Sequence, residues 1–310
     1  MKTMGMPAIA TALLIMSHVC VSAPFGVLTI SYSNDTTCCL LSIDVQTGET
    51  SRYAETATPY MSPTASPFFG SSVLVYSPGN DAIGTYGATG FEGFITSAGS
   101  GTACKPGTTF DESSVAYVRS DVSVSNEDVL HVYDFSTVTD TPVYTTPLWG
   151  VDIGIPRISP DGSTLAFALN DHFWGSCDIY TMPFTGGVPQ ELTELPENAR
   201  TPSYSPDGAM MTCVAPFGGS FSAYIATSTG TNPQRIDLGG EYAFFPCFSP
   251  DSAYIATCSD NGINIIDAAT RTVVQNIPMD YQEYYGLAWH LGARPADGSI
   301  TKMKVTEIPC

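Results

Sequence analysis

Basic residues are scarce in this chain: 11 Lys and Arg stand against 30 Asp and Glu over 310 residues, a net charge of −19. A nucleic-acid partner needs clustered cations to displace counterions from phosphates, and an anionic membrane surface needs the same. No such cluster occurs, so nucleic acid is excluded as a partner and the acidity reads as solubility. Charged residues of both signs make up only 13% and apolar residues 43%, which leaves ample material for a core and excludes a disordered chain. Long apolar runs are missing too, since no segment reaches the roughly 18 residues that span a bilayer. Stable membrane insertion is therefore not expected.

One short apolar run, Ala8 to Met16, follows Lys2 and precedes Val21-Ser22-Ala23. Small residues at that distance from a short apolar stretch are the pattern of a signal peptide. The expected division is a leader over 1–23 and one domain over 24–310, exported to the periplasm or the exterior.

Residue types that carry chemistry are few. Of four histidines, only His131, His172 and His290 lie beyond the leader, and they fall in unlike places. Nine cysteines occur, but no Cys-x-x-Cys and no Cys/His spacing of zinc type. Cys38, Cys39, Cys104, Cys177, Cys213, Cys247, Cys258 and Cys310 can pair in an exported chain or sit as small buried hydrophobes. No Gly-x-Ser-x-Gly nucleophile elbow is present; Gly218-Gly219-Ser220-Phe221-Ser222 comes nearest and lies in a loop. Gly84, Gly87 and Gly90 lack the lysine and the strand-to-helix context of a phosphate-binding loop. No catalytic residue, metal site or cofactor is expected.

What is abundant is repetition. Pro156-Arg-Ile-Ser-Pro-Asp-Gly, Pro202-Ser-Tyr-Ser-Pro-Asp-Gly and Pro246-Cys-Phe-Ser-Pro-Asp-Ser align without gaps, 46 and then 44 residues apart. Each leads into an alternating apolar strand, and weaker copies extend the register to both chain ends. Equivalent second-strand positions are Leu28, Leu74, Ala116, Ala166, Thr212, Ala256 and roughly Thr301. After each second strand come a polar loop, a third strand such as Asp178-Ile-Tyr-Thr-Met, a glycine turn and a short fourth strand. Four short strands in about 45 residues define a propeller blade, and no sustained 3.6-residue period supports a helical solenoid.

The Ser-Pro-Asp-Gly turn has a physical logic. Proline pre-sets φ, aspartate accepts from nearby amides, and glycine takes a positive φ, so two strands close tightly. Pro160, Asp161, Gly162, Pro206, Asp207, Gly208, Pro250 and Asp251 are assigned this structural role.

These motifs, with Asp178-Ile-Tyr and the Thr185-Gly-Gly turn, resemble the TolB-like propeller repeats, strongly over Pro156–Ile277 and in degenerate form over Val27–Tyr144. The resemblance implies six blades, with the first unit completed by Leu287–His290 from the other chain end; seven is the alternative. It also implies a protein or peptide partner. TolB proper carries an additional N-terminal α/β domain, whereas here the first repeat strand opens at Val27, directly after the expected leader.

In a propeller the loops between second and third strands share one face with the links between blades, and the Ser-Pro-Asp-Gly turns occupy the other. The loop face should then carry His172, Phe173, Trp174, Trp149, Arg200, Phe217, Phe221 and Tyr284, with Tyr242 and Tyr285 either there or wedged between blades. Flat rings beside polar groups suit peptide or sugar recognition. The expectation is an exported, non-catalytic scaffold that binds a protein or peptide partner. A carbohydrate-binding or lyase-type propeller with a glycan ligand, and a structural or adhesive surface module, stay open as rivals.

Overall fold

The computed structural model describes residues 23–33, 38–56, 61–65, 72–77, 82–87, 90–95, 102–120, 127–147, 150–171, 175–279 and 283–291. They form six antiparallel sheets and, among the described residues, no helix. Blade 1 contains β1 (Val27–Ser33), β2 (Cys38–Asp44) and β3 (Thr50–Thr56), with β25 (Glu283–His290) as its inner strand. Blade 2 is β4 (Met61–Thr64), β5 (Ser72–Ser77), β6 (Ala82–Gly87) and β7 (Gly90–Phe94), and blade 3 is β8 (Thr102–Thr108), β9 (Ser114–Ser120), β10 (Asp128–Asp134) and β11 (Thr139–Thr145). In blade 4 the inner strand is split into β12 (Val151–Ile153) and β13 (Arg157–Ile158), followed by β14 (Thr164–Asp171), β15 (Ser176–Pro183) and β16 (Gln190–Glu191). Blade 5 is β17 (Arg200–Tyr204), β18 (Met210–Phe217), β19 (Ser220–Thr227) and β20 (Gln234–Arg235); blade 6 is β21 (Phe244–Phe248), β22 (Tyr254–Ser259), β23 (Gly262–Asp267) and β24 (Val273–Ile277).

Six blades is the count, which settles the alternative of seven. The repeat register holds through the described ring: Leu28, Leu74, Ala116, Ala166, Thr212 and Ala256 all lie in second strands. The ring closes as the repeat implies, with β25 pairing β1 through Leu28 opposite Trp289 and Ile30 opposite Leu287. Trp289 Nε1 donates to the Phe25 carbonyl at 2.9 Å, and the fully buried His290 places Nε2 2.9 Å from Thr29 Oγ1.

Alternating side chains leave each blade by both faces, and each interface between blades is its own apolar cluster. Leu40 meets Val73, Val75 and Tyr86 between blades 1 and 2, and Leu74 and Ile83 meet Val115 and Tyr117 between blades 2 and 3. Val214 and Ile225 meet Ile255 and Ile266 between blades 5 and 6. Full burial of one such aliphatic side chain is worth roughly 1.5–3 kcal/mol, so every interface contributes several such increments. Cys104, Cys177, Cys213, Cys247 and Cys258 are free and buried in these cores. Burial pushes the Cys213 and Cys247 thiols up to about 12, which makes them inert packing groups.

The Ser-Pro-Asp-Gly turns share one hydrogen-bond network. Ser159, Ser205 and Ser249 each donate Oγ to the aspartate two residues on, at 2.6 Å. The same Oγ accepts from the amide of Thr164, Met210 or Tyr254 at 2.9 Å. Asp161, Asp207 and Asp251 each accept one further amide at 3.0 or 3.1 Å, while Gly162 and Gly208 take φ of +71° and +73°. Hydrogen bonds from Ser159 and Ser163 hold the Asp161 carboxyl below the usual range.

The inner strands carry a second repeated device, which the repeat's leading proline marks. In β4, β8, β17 and β21 one extra residue interrupts the ladder. Ser62, Lys105, Thr201 and Phe245 take positive φ there, and a proline follows each one. A bulge leaves an amide without its ladder partner, and proline has no amide to leave. Beyond the bulge the register resumes, so one residue from each blade reaches the same level of the axial channel: Trp289, Thr64, Gly107, Arg157, Ser203 and Cys247.

Candidate loop-face site on blades 5 and 6

The loop between β18 and β19 and the link from β20 to β21 bring the predicted loop-face groups of these blades together. Gly218 and Gly219, at φ of +60° and +90° with open space where a side chain would stand, make the turn after Phe217. Phe217 is 51% exposed. Arg235, from the outer strand β20, lays its guanidinium over the Phe217 ring at 4.1 Å, and Arg200, from the inner strand β17, covers Phe221 at 4.8 Å. Such cation–ring contacts are worth about 0.5–1 kcal/mol at exposed sites. More usefully, they hold two flat rings and two cations in fixed relation on an otherwise acidic protein.

Tyr242 extends the patch toward blade 6. It stacks on Phe244 with ring planes 2° apart at 5.9 Å, its hydroxyl donates to the Gly219 carbonyl at 3.3 Å, and 38% of the residue stays exposed. Of its two expected placements, the exposed loop face is the one found. Glu241 beside it accepts from Asn261 Nδ2 and, at 3.1 Å, from Asn264 Nδ2. Partial burial opposes ionisation of Glu241, but the bonds from Asn261, Ser259 and Asn264 outweigh it and hold the carboxyl low. The patch thus brings together the rings of Phe217, Phe221 and Tyr242, two guanidinium groups and one carboxylate.

Other predicted positions have different fates. Tyr284 pairs opposite Tyr32 in the closing strand and is half-buried against the cluster joining blades 6 and 1. His172, Phe173, Trp174 and Trp149 lie outside the described residues. Phe244 and Arg235 belong to the patch although no site role was read for them. The signal for Phe244 was the register itself: it stands two residues before Pro246, as Arg200 stands before Pro202. Arg235 carried no such signal, because its approach to Phe217 crosses the intervening strand β19.

The remaining histidines are structural in their surroundings. His131 Nδ1 lies 3.0 Å from Asp140 and its ring stacks on Tyr117 at 5.3 Å. His290 is in the ring seam. Among the described residues no group of three or more His, Cys, Asp or Glu converges as a metal site, and no helix is long and apolar enough to cross a membrane.

A family model of the TolB β-propeller domain matches residues 82–277. By sequence the chain is 33% identical over 101 residues to the uncharacterized peptidase YuxL of Bacillus subtilis (strain 168), a stretch covering 32% of this chain and 15% of that protein. By structure it is similar to TolB from Acinetobacter baumannii, with a TM-score of 0.69 and 22% identity over 85% of this chain and 66% of that one. It is also similar to a chain of a nidogen/laminin complex, with a TM-score of 0.65 and 11% identity over 86% of this chain and 99% of the other. The chain therefore spans a small part of the peptidase and just under two thirds of TolB.

Proposed function

Because the chain belongs to the TolB β-propeller domain family, we propose that it is an exported scaffold that binds a protein or peptide partner through its loop face and catalyses no reaction. The Arg–aromatic patch of Arg200, Arg235, Phe217, Phe221 and Tyr242 carries this reading. Rings and guanidinium groups are the side chains that dominate protein interfaces, since they present large area at little conformational cost. Here Phe217 and Tyr242 are exposed, with Phe221, Arg200 and Arg235 half-buried beside them, on the face where the blade links converge. A partner with acidic and aromatic groups fits the two cations and the open ring faces. The leader expected over residues 1–23 supplies the route of export, and 24–310 the propeller.

The peptidase among the relatives shares a stretch of 101 residues, 15% of its own length, with this chain, and no nucleophile elbow occurs in the 310 residues given. A glycan ligand would use the same rings, so the partner's class is what experiment must decide.

The test compares capture from envelope extract and medium by the full chain, by a Phe217→Ala/Tyr242→Ala variant, and by an Asp251→Ala variant altered on the turn face. All three are matched for thermal stability. A protein retained by the parent and by the turn-face variant, but lost by the loop-face pair, is the expected result. Equal retention by all three would remove the patch from the account, and retention of glycan alone would replace the protein partner.

A further inference from the structure

The channel holds a charge without a counter-charge. Among the six register-equivalent residues Trp289, Thr64, Gly107, Arg157, Ser203 and Cys247, only Arg157 is ionic. Its Nη1 donates to two backbone carbonyls, of Pro106 at 3.4 Å and of Pro156 at 3.2 Å. Among the described residues no carboxylate pairs with it, and its Nε and Nη2 find no acceptor. The Pro106 contact comes from the neighbouring blade, where the two inner strands press together so closely that a Cβ on Gly107 would meet the Pro156 carbonyl at 2.2 Å. The base of the arginine is therefore fixed while one edge of its fork stays open.

Arg157 lines a cavity of about 60 Å3 together with Thr64, Ser203 and Cys247, and with Phe110 and Pro206 from the turns between inner strands. A site of that size holds roughly four waters, enough for one small planar anion. Thr64 and Ser203 are buried residues that line this cavity, and among the described residues neither makes a side-chain hydrogen bond. Burial lowers the guanidinium from its ordinary value to about 10, so it remains charged at neutral pH. A charge drawn partly out of water without a partner is costly, yet among the described residues no acidic side chain pairs with this one.

We infer that the axial cavity is a carboxylate-binding site, in which the Nε–Nη2 edge of Arg157 takes both oxygens and the hydroxyls of Thr64 and Ser203 donate to the same group. Guanidinium presents two parallel donors at the spacing of a carboxylate, which is why this pairing is bidentate and directional. The neutral Cys247 thiol leaves the anion unopposed. The site opens among the turns, on the face opposite the loop-face patch, and is independent of any partner bound there. A carboxylate reaches it either as a small free anion or as the C-terminus of an extended chain.

The experiment titrates the full chain, at constant ionic strength, with acetate, N-acetylglycylglycine and the C-terminal amide of that dipeptide. Binding is read by calorimetry and by the shift in Tm. Saturable binding of a carboxylate with a rise in Tm is expected, absent for the amide. Dipeptide binding about tenfold tighter than acetate identifies a chain end, and equal binding a free anion. Arg157→Gln should abolish the carboxylate-dependent shift while its own Tm without carboxylate is unchanged or higher. Arg157→Lys keeps the charge but loses the fork, and should bind about tenfold more weakly. No saturable binding to the parent would overturn the site. So would an unaltered shift in Arg157→Gln, or a fall in that variant's Tm with no carboxylate dependence in the parent, which would mark Arg157 as a staple between blades 3 and 4.

Discussion

In blade 5 the turn between the two inner strands reads Ser205-Pro206-Asp207-Gly208, and in blade 3 it reads Thr109-Phe110-Asp111-Glu112. The hydrogen bonds are nearly the same. Thr109 Oγ1 accepts from the Ser114 amide at 3.0 Å, as Ser205 Oγ accepts from Met210 at 2.9 Å. Asp111 accepts the Ser113 amide at 3.0 Å, as Asp207 accepts that of Ala209. Glu112 takes a φ of +57° where Gly208 takes +73°. What the fold requires is a hydroxyl, a carboxylate two residues later and a left-handed residue after that. Proline and glycine ease this geometry but do not create it, which is why blade 3 can lose the motif and keep the turn.

The two halves meet at the seam between β1 and β25, and the largest expected effect lies there. His290 is fully buried, Nδ1 finds no partner among the described residues, and burial pushes its imidazole down to about 4. An unfolded histidine takes its proton near pH 6.5. The folded chain resists protonation, so its stability is complete above pH 6.5 and is lost as the pH falls toward 4. The loss amounts to about 3 kcal/mol over that window. Denaturant unfolding of the parent and of His290→Gln at pH 7 and pH 4 should show the parent falling further by about that amount. If the two fall together, acid acts on the carboxylates of both halves and the seam is not the weak joint.

A smaller effect tests whether the two turns are alike in energy as well as geometry. Asp111→Ala and Asp207→Ala each remove a carboxylate that accepts an amide and a hydroxyl, and each should cost about 1 kcal/mol. Hydrogen bonds from Ser113 hold the Asp111 carboxyl below its ordinary value, so its contribution is present above the unfolded carboxylate range and is lost as the pH falls from there through the lower folded value. A loss for Asp207→Ala with none for Asp111→Ala, measured by chemical denaturation at neutral pH, would mean that the carboxylate carries energy only beside the proline and glycine of the full motif.

The same pair shows how far the sequence could be read. The period, the six second strands and the closing strand were legible because they depend on alternation and spacing, which any blade displays along its own length. The loop-face expectation for Arg200, Phe217 and Phe221 came from the same register, and the structure brings these groups into one patch with Tyr242. The contacts of Arg235 and Arg157 were not legible. Each is set by how far one strand lies from another that it does not pair with, and a one-dimensional repeat carries no record of that distance. The bulges at Ser62, Lys105, Thr201 and Phe245 were half-visible: the leading proline was seen in the strong repeats, but Pro63 and Pro106 were not recognised as its copies.

The smallest expected effect comes from blade 6, whose turn lies between the other two in letters, with Ser252 where blade 5 has Gly208. Ser252 takes a φ of +63°, which costs a side-chain-bearing residue about 1 kcal/mol relative to glycine. Its Oγ, however, accepts the Asp207 amide of the neighbouring blade at 3.1 Å, worth about 0.5–1.5 kcal/mol. Ser252→Gly relieves the strain and loses the bond, so unfolding free energy should move by less than about 0.5 kcal/mol. Gly208→Ala is the reference, because the nearest atom to its new Cβ is Pro160 Cγ at 3.8 Å and only the backbone conformation is penalised. It should lose about 1 kcal/mol. If Ser252→Gly instead gains what Gly208→Ala loses, the bond between blades contributes nothing and blade 6 differs from blade 5 by strain alone. A net loss would show that this serine was retained for the joint it makes, and that a departure from the motif in one blade serves its neighbour.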